Sequence, residues 1–188
     1  PEHHWIADFV RSLPAPAAPP PPALVDASHR NGSPPAGFAR DIGPDEPVVR
    51  DHVVLGRAIL PGVVGLELAR AAALRAGPRA ASGITDVLWL RPVVVETGGL
   101  RARIRFSADA AGRRYELVSG PESAESVHAT GCVSFDAVTA GSAIDLAAAR
   151  GRCPDIESGD QVYRTFAACG VDYGPFFKGL KEVRFNAA

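Results

Sequence analysis

The chain is poor in several things, and each shortage excludes a class of function. Of its 188 residues only two, Lys178 and Lys181, are lysines. The remaining basic residues are arginines which, beside abundant alanine and proline, fit the coding bias of a GC-rich genome rather than a binding patch. Net charge is close to zero, at −1. That gives no electrostatic case for nucleic acid or a membrane surface. No apolar run approaches the roughly 20 residues of a membrane span. The N-terminus shows no basic stretch followed by an apolar core, so no signal peptide is expected. The three cysteines, Cys132, Cys153 and Cys169, have no metal-type spacing and are odd in number. Reduced thiols in a cytoplasmic protein are the expectation.

What is present divides the chain by composition. PEHHWIADFVRSL (1–13) could make a short helix. PAPAAPPPPAL (14–24) lacks backbone donors at nearly every other position and should be an extended, polyproline-like spacer. Polar, Gly- and Pro-rich sequence continues to residue 46, so 1–46 is read as N-terminal segment and linker. The first folded unit is expected over 47–140. A linker and the opening of a second unit are expected over 141–188.

PVVRDHVVLG (47–56) reads as a strand ending at Gly56. Pro61 and Gly62 then open a helix over 62–77 with a narrow polar stripe (Glu67, Arg70, Arg75), which should be largely buried. It stops at Gly77-Pro78. ITDVLWLRPVVV (84–95) is a strand with a bend or edge at Pro92. LRARIRFSA (100–108) alternates apolar with arginine, RYELVS (114–119) returns as its hairpin partner, and VHATGCVSF (127–135) alternates again. One helix followed by an antiparallel meander is an α+β arrangement of the hot-dog kind, in which a sheet wraps a central helix. Ser158 with Gln161 marks a second helix start. VDYGPFFKGL (171–180) is an aromatic turn, and LKEVRFNAA opens a strand with no partner after it, which suggests truncation.

Two motifs carry a resemblance. DHVVLGRAILPG places His52, Gly56, Pro61 and Gly62 in the HxxxGxxxxPG pattern of polyketide synthase dehydratase domains. VDYGPFFKGL resembles that family's YGPxFxGL pattern at Tyr173, Gly174, Pro175, Phe177, Gly179 and Leu180. Val171 stands where an aromatic is common, and Lys178 where glutamine is usual. The stretch 47–188 most resembles dehydratases of modular synthases of the trans-acyltransferase type.

The resemblance implies a double hot dog, with a catalytic histidine in the first half and an aspartate in the second. It implies removal of water from a β-hydroxyacyl thioester carried on the phosphopantetheine of acyl carrier protein, with no other cofactor and no metal. Neighbouring synthase domains and a second hot-dog half are the implied partners. A homodimer is a further one, since the family often pairs through an N-terminal strand edge. His52 would be the general base, because imidazole titrates nearest neutral pH. A free N–H at the helix terminus near Pro61-Gly62 would receive the oxyanion charge. Gly56 would let the intervening loop turn, and Gly56, Pro61, Gly62, Tyr173, Gly174 and Pro175 would form the substrate site. No aspartate follows YGP in the required pattern, so the chain alone is expected to be inactive.

Blander readings stand beside these. Tyr173 could serve packing alone. His128 reads as structural, on the strand face opposite Val127 and Ala129. His3, His4 and His29 have no ligand partners nearby. Arg101, Arg103 and Arg105 read as a solvated strand face, with contact to an acidic carrier protein as the alternative. A related pyran-forming cyclase, a double-bond isomerase, or a hot-dog half that only binds carrier protein are the competing functions.

Overall fold

In the computed structural model the described residues are 38–76, 81–107, 114–135, 141 and 143–186. The suggested helix over 1–13, the proline-rich spacer and His3, His4 and His29 lie outside them. Eleven strands are described: β1 (Phe38–Ile42), β2 (His52–Val54), β3 (Arg57–Leu60), β4 (Gly83–Trp89), β5 (Val93–Val94), β6 (Leu100–Phe106), β7 (Arg114–Ser119), β8 (Ser126–Ser134), β9 (Asp155–Ser158), β10 (Val171–Tyr173) and β11 (Glu182–Phe185). Four helices accompany them: α1 (Pro47–Arg50), α2 (Gly62–Ala76), α3 (Leu146–Arg152) and α4 (Gly159–Ala168).

Strands β1-β6-β7-β8-β4 form an antiparallel sheet. The long helix α2 lies across it, touching β4, β6, β7 and β8. Val64, Gly65, Leu68, Ala69, Ala72 and Ala73 make its buried face. Small residues let the sheet come close: a Cβ on Gly65 would lie 3.1 Å from Leu117 Cδ2. The opposing sheet face supplies Ala102, Ile104, Tyr115, Leu117, Ala129 and Val133, all buried. This is the hot-dog arrangement. The helix is less enclosed than its composition suggested, for Val63 and Leu74 on its far side are exposed.

The expected boundary at residue 47 is corrected. Phe38–Ile42 pairs with β6 from Phe38↔Ile104 to Ile42↔Leu100, and Ile42 is 1% exposed. A five-residue strand between Gly37 and Gly43 is hidden from a compositional reading by the turn residues on either side. The strand expected over 47–56 is also corrected. Pro47 starts a helical turn, as its fixed φ favours, and only His52–Val54 is extended. Within the segment 141–188, β10 hydrogen-bonds to β2 of the first unit. The last strand is not unpartnered. β11 pairs with β9, which precedes it in the chain.

Other expectations stand. β6 alternates as read, with Ala102 and Ile104 buried, and β7 returns as its hairpin partner. Ser158 Oγ accepts from Gln161 N at 3.3 Å, while the Gln161 side chain turns to Arg164 rather than completing a capping box. The arginine row is a strand face committed to ion pairs. Arg101 meets Asp41, Arg103 meets Glu125, and Arg105 meets Glu116 and Glu125.

Tyr115 yields a first prediction. Its ring stacks over Gly131 on the adjacent strand, where a Cβ would lie 2.7 Å from it. Its hydroxyl is buried without a hydrogen-bond partner. A buried unpaired hydroxyl costs about 1–3 kcal/mol. Tyr115→Phe should therefore raise the unfolding midpoint in chemical denaturation, by about 1 kcal/mol of stability. A loss of stability would show that the hydroxyl is satisfied.

Candidate active site

The histidine motif folds as a hairpin. β2 and β3 pair through Val53↔Ala58 and Val54↔Arg57. The two residues between them, Leu55 (φ 50°) and Gly56 (φ 74°), are both left-handed. Two left-handed residues define the type I′ turn, whose twist matches that of paired strands. Gly56 thus acts by turning the chain, and it does not line the cavity described below.

The hairpin fixes the His52 ring. Its Nδ1 lies 2.8 Å from the Ile59 carbonyl. A carbonyl can only accept, so Nδ1 carries the hydrogen and Nε2 holds the basic lone pair. His52 lines a cavity of about 290 Å³ together with Leu60, Pro61, Gly62, Trp89, Arg91, Pro92, Leu117 and His128. The wall is largely apolar. Gly62 starts α2, so its own N–H, which has no intrahelical partner, lies at the cavity wall, while Val64 N donates to Pro61 O at 2.9 Å. The Trp89 indole packs on the same residue; a Cβ on Gly62 would lie 2.5 Å from Trp89 Nε1.

Burial holds the His52 imidazole below its usual 6.5, although the Ile59 carbonyl pulls the other way. The neutral form therefore persists below that pH. Burial lowers His128 likewise. Since the unfolded chain takes up these protons first, the stabilisation is complete above about pH 6.5 and declines as pH falls from there through the folded-state values. Denaturant titrations at pH 7.5 and pH 5.5 should show lower stability at pH 5.5. Equal stability would contradict the burial of both rings.

The second motif is brought directly against the first. Tyr173 is the register partner of His52. Its ring centroid lies 5.6 Å from the imidazole, and that of Phe177 lies 5.7 Å away. Tyr173 also meets Phe166 edge-on at 5.3 Å. Tyr173 and Phe177 thus back the base within an aromatic cluster, and Gly174 and Pro175 follow Tyr173 in the chain. None of Tyr173, Gly174 and Pro175 lines the cavity.

Asp51, which sequence reasoning passed over, makes the joint. It is 5% exposed. Its Oδ2 accepts from Phe176 N at 2.8 Å, and its backbone carbonyl accepts from Gly174 N at 2.8 Å. The neighbouring Arg50 guanidinium, and then the Phe176 N–H, hold its carboxyl below the usual carboxylate range. Its only sequence signal is an acidic residue immediately before the histidine.

His128 requires a correction. β8 is bulged against β7: Leu117 faces Ala129, but Val118 faces Val127. His128 is the extra residue, and a bulge re-aims side chains that strict alternation would send elsewhere. It is 8% exposed and lines the same cavity as His52.

The comparisons with known proteins bear on the family and the fold. Residues 24–120 match the family model described as the polyketide synthase dehydratase domain. The chain belongs to that family. It is 34% identical over 151 residues to polyketide synthase PksN of Bacillus subtilis, covering 74% of this chain and 3% of that protein. It is 38% identical over 148 residues to polyketide synthase ThaG of Burkholderia thailandensis, covering 73% of this chain and 3% of that one. Among solved structures, a dehydratase domain of a trans-acyltransferase polyketide synthase from Brevibacillus brevis superposes with a TM-score of 0.73 at 30% identity, covering 80% of this chain and 59% of that one. The dehydratase domain from the CurJ module of curacin polyketide synthase superposes with a TM-score of 0.74; at 22% identity it supports the fold alone. The chain therefore spans a few per cent of these curated synthases and somewhat over half of the solved dehydratase domain.

Proposed function

We propose that this chain carries the base half of a β-hydroxyacyl dehydratase, acting on an acyl group tethered through phosphopantetheine to acyl carrier protein. The observation that supports it most is the Nδ1–Ile59 contact on a histidine lining an apolar cavity. That contact leaves Nε2 able to accept a proton where water is scarce.

The chemistry is an elimination. Nε2 of His52 takes the α-proton, and the electrons move toward the thioester carbonyl. The Gly62 N–H at the start of α2 receives the charge that grows on its oxygen. The C–O bond to the β-hydroxyl then breaks, and that oxygen leaves as water after gaining a proton from an acid. No carboxylate is among the residues lining the cavity. In our reading the acid comes from a second hot-dog unit, and without it the chain turns over slowly or not at all. The reaction is redox-neutral and asks for nothing beyond the carrier arm.

Retention of Pro61 favours dehydration over pyran formation, in line with the motif. The test is mass spectrometry of a β-hydroxyacyl-carrier substrate incubated with this chain and a family second half. Loss of one water supports the reading. Ring closure at unchanged mass would replace it with a cyclase. A carrier that binds but is returned unaltered would leave only a docking function.

A further inference from the structure

The elimination leaves His128 without a task, yet its surroundings are specific. Its Nε2 lies 2.7 Å from Ser119 Oγ. Its Nδ1 is buried and makes no hydrogen bond, although the backbone of Arg91 and Pro92 is near enough to favour the protonated ring. Its carbonyl accepts from Leu90 N at 2.7 Å and from Arg91 N at 3.2 Å. The side chain thus ties the bulged residue to Ser119 of β7, and its main-chain carbonyl holds the corner Leu90-Arg91-Pro92, where β4 ends and β5 begins.

That corner is joined at both ends to the site. Just before it, the Trp89 indole packs on Gly62 at the start of α2. Just after it, Val93 and Val94 pair with Leu60 and Ile59, and Val95 N donates to Ala58 O at 2.9 Å. Ile59 is the residue whose carbonyl fixes the His52 tautomer. A short two-residue strand has little stiffness of its own, so its placement depends on what holds the corner.

We infer that His128, anchored by Ser119, is a positioning residue: it fixes the Leu90–Pro92 corner and, through β5 and β3, the Ile59 carbonyl that orients His52. The catalytic consequence rests on the dehydratase reading. The structural linkage does not, and that separates the two in experiment. Removing a histidine that merely filled space would admit water and raise the His52 titration but would leave its Nδ1 tautomer, set by the Ile59 carbonyl, in place.

The experiment is ¹⁵N NMR of the imidazoles in the full chain, which reads tautomer and titration without turnover. The parent chain should show His52 protonated at Nδ1 and titrating below 6.5. In His128→Ala the His52 signals should move toward a mixture of tautomers, and its titration should shift up toward the ordinary value. His128→Gln keeps a group able to reach Ser119 and should return both toward the parent. Ser119→Ala leaves the imidazole in place and should move His52 in the same direction as His128→Ala by a smaller amount. That milder variant keeps the test open should His128→Ala fail to fold. In turnover with a second half, a misplacement of this kind should lower kcat about tenfold or more, with KM less changed. An unaltered His52 tautomer in Ser119→Ala, or in a folded His128→Ala, would overturn the inference. If the tautomer shifts but no variant, nor the parent, dehydrates the substrate, the linkage stands and the dehydratase reading falls.

Discussion

Replacing His52 by alanine should lower the dehydration rate by about 10²–10⁴-fold, the usual contribution of a positioned general base. Substrate affinity should change little. The rest of the cavity wall, largely apolar, stays in place, and the imidazole acts on a proton that leaves only in the transition state. The same variant should lose the acidic limb of the pH–rate profile. In the parent that limb should fall below pH 6.5, because burial holds the imidazole neutral beneath its usual value. His52→Gln can restore a polar contact but not a base at neutral pH, so it should not recover the rate. A folded His52→Ala that dehydrates at the parent rate would remove the base assignment. A rate that fell only through KM would make the residue a binding group.

Much of the site was legible because its chemistry restricts which residues can stand where. The pattern His52, Gly56, Pro61 and Gly62 needs a ring, a left-handed turn and a helix start in fixed order, and each feature has a residue-level signature. β6 was legible because one face meets α2 and the other meets water, which enforces alternation, whereas β7 breaks that pattern at Leu117 and Val118, which are both buried. What could not be read depends on partners distant in sequence. Asp51 is one acid among 21 acidic residues until the chain folds, and its Phe176 contact spans 125 positions. The bulge at His128 exists only as a mismatch between two strands, so alternation within β8 alone misplaced that side chain. β1 was hidden because a strand flanked by glycine and proline takes its identity from the edge of β6 that it completes. The pairing of β11 was missed because its partner β9 is a four-residue strand between two helices, too short to announce itself.

The joint between the two motifs supplies the other large expected effect. Gly174→Ala would place a Cβ 2.6 Å from Asp51 Cβ and 2.7 Å from its Oδ1. Such contacts force a shift, and overpacking of this kind costs about 1–3 kcal/mol. The way the strain relaxes matters more than its size. Asp51 cannot rotate away without surrendering Phe176 N, and β10 cannot retreat without breaking its pairing with β2 beside His52. Both escapes disturb the aromatic cluster that backs the imidazole, so activity should fall along with the unfolding midpoint. Protonating Asp51 should loosen the same joint. Its folded-state value is depressed, so its stabilisation is present above the unfolded carboxylate range near 4 and is lost as pH falls through the folded value. A double-mutant cycle separates crowding from backbone stiffening. Asp51→Gly removes the Cβ as well as the carboxylate and frees the space Gly174→Ala needs, while costing the Phe176 contact in its own right. The double variant should therefore be less destabilised than the two single losses added together. Additive losses would mean that glycine is needed at 174 for its backbone and not for the room it leaves to Asp51.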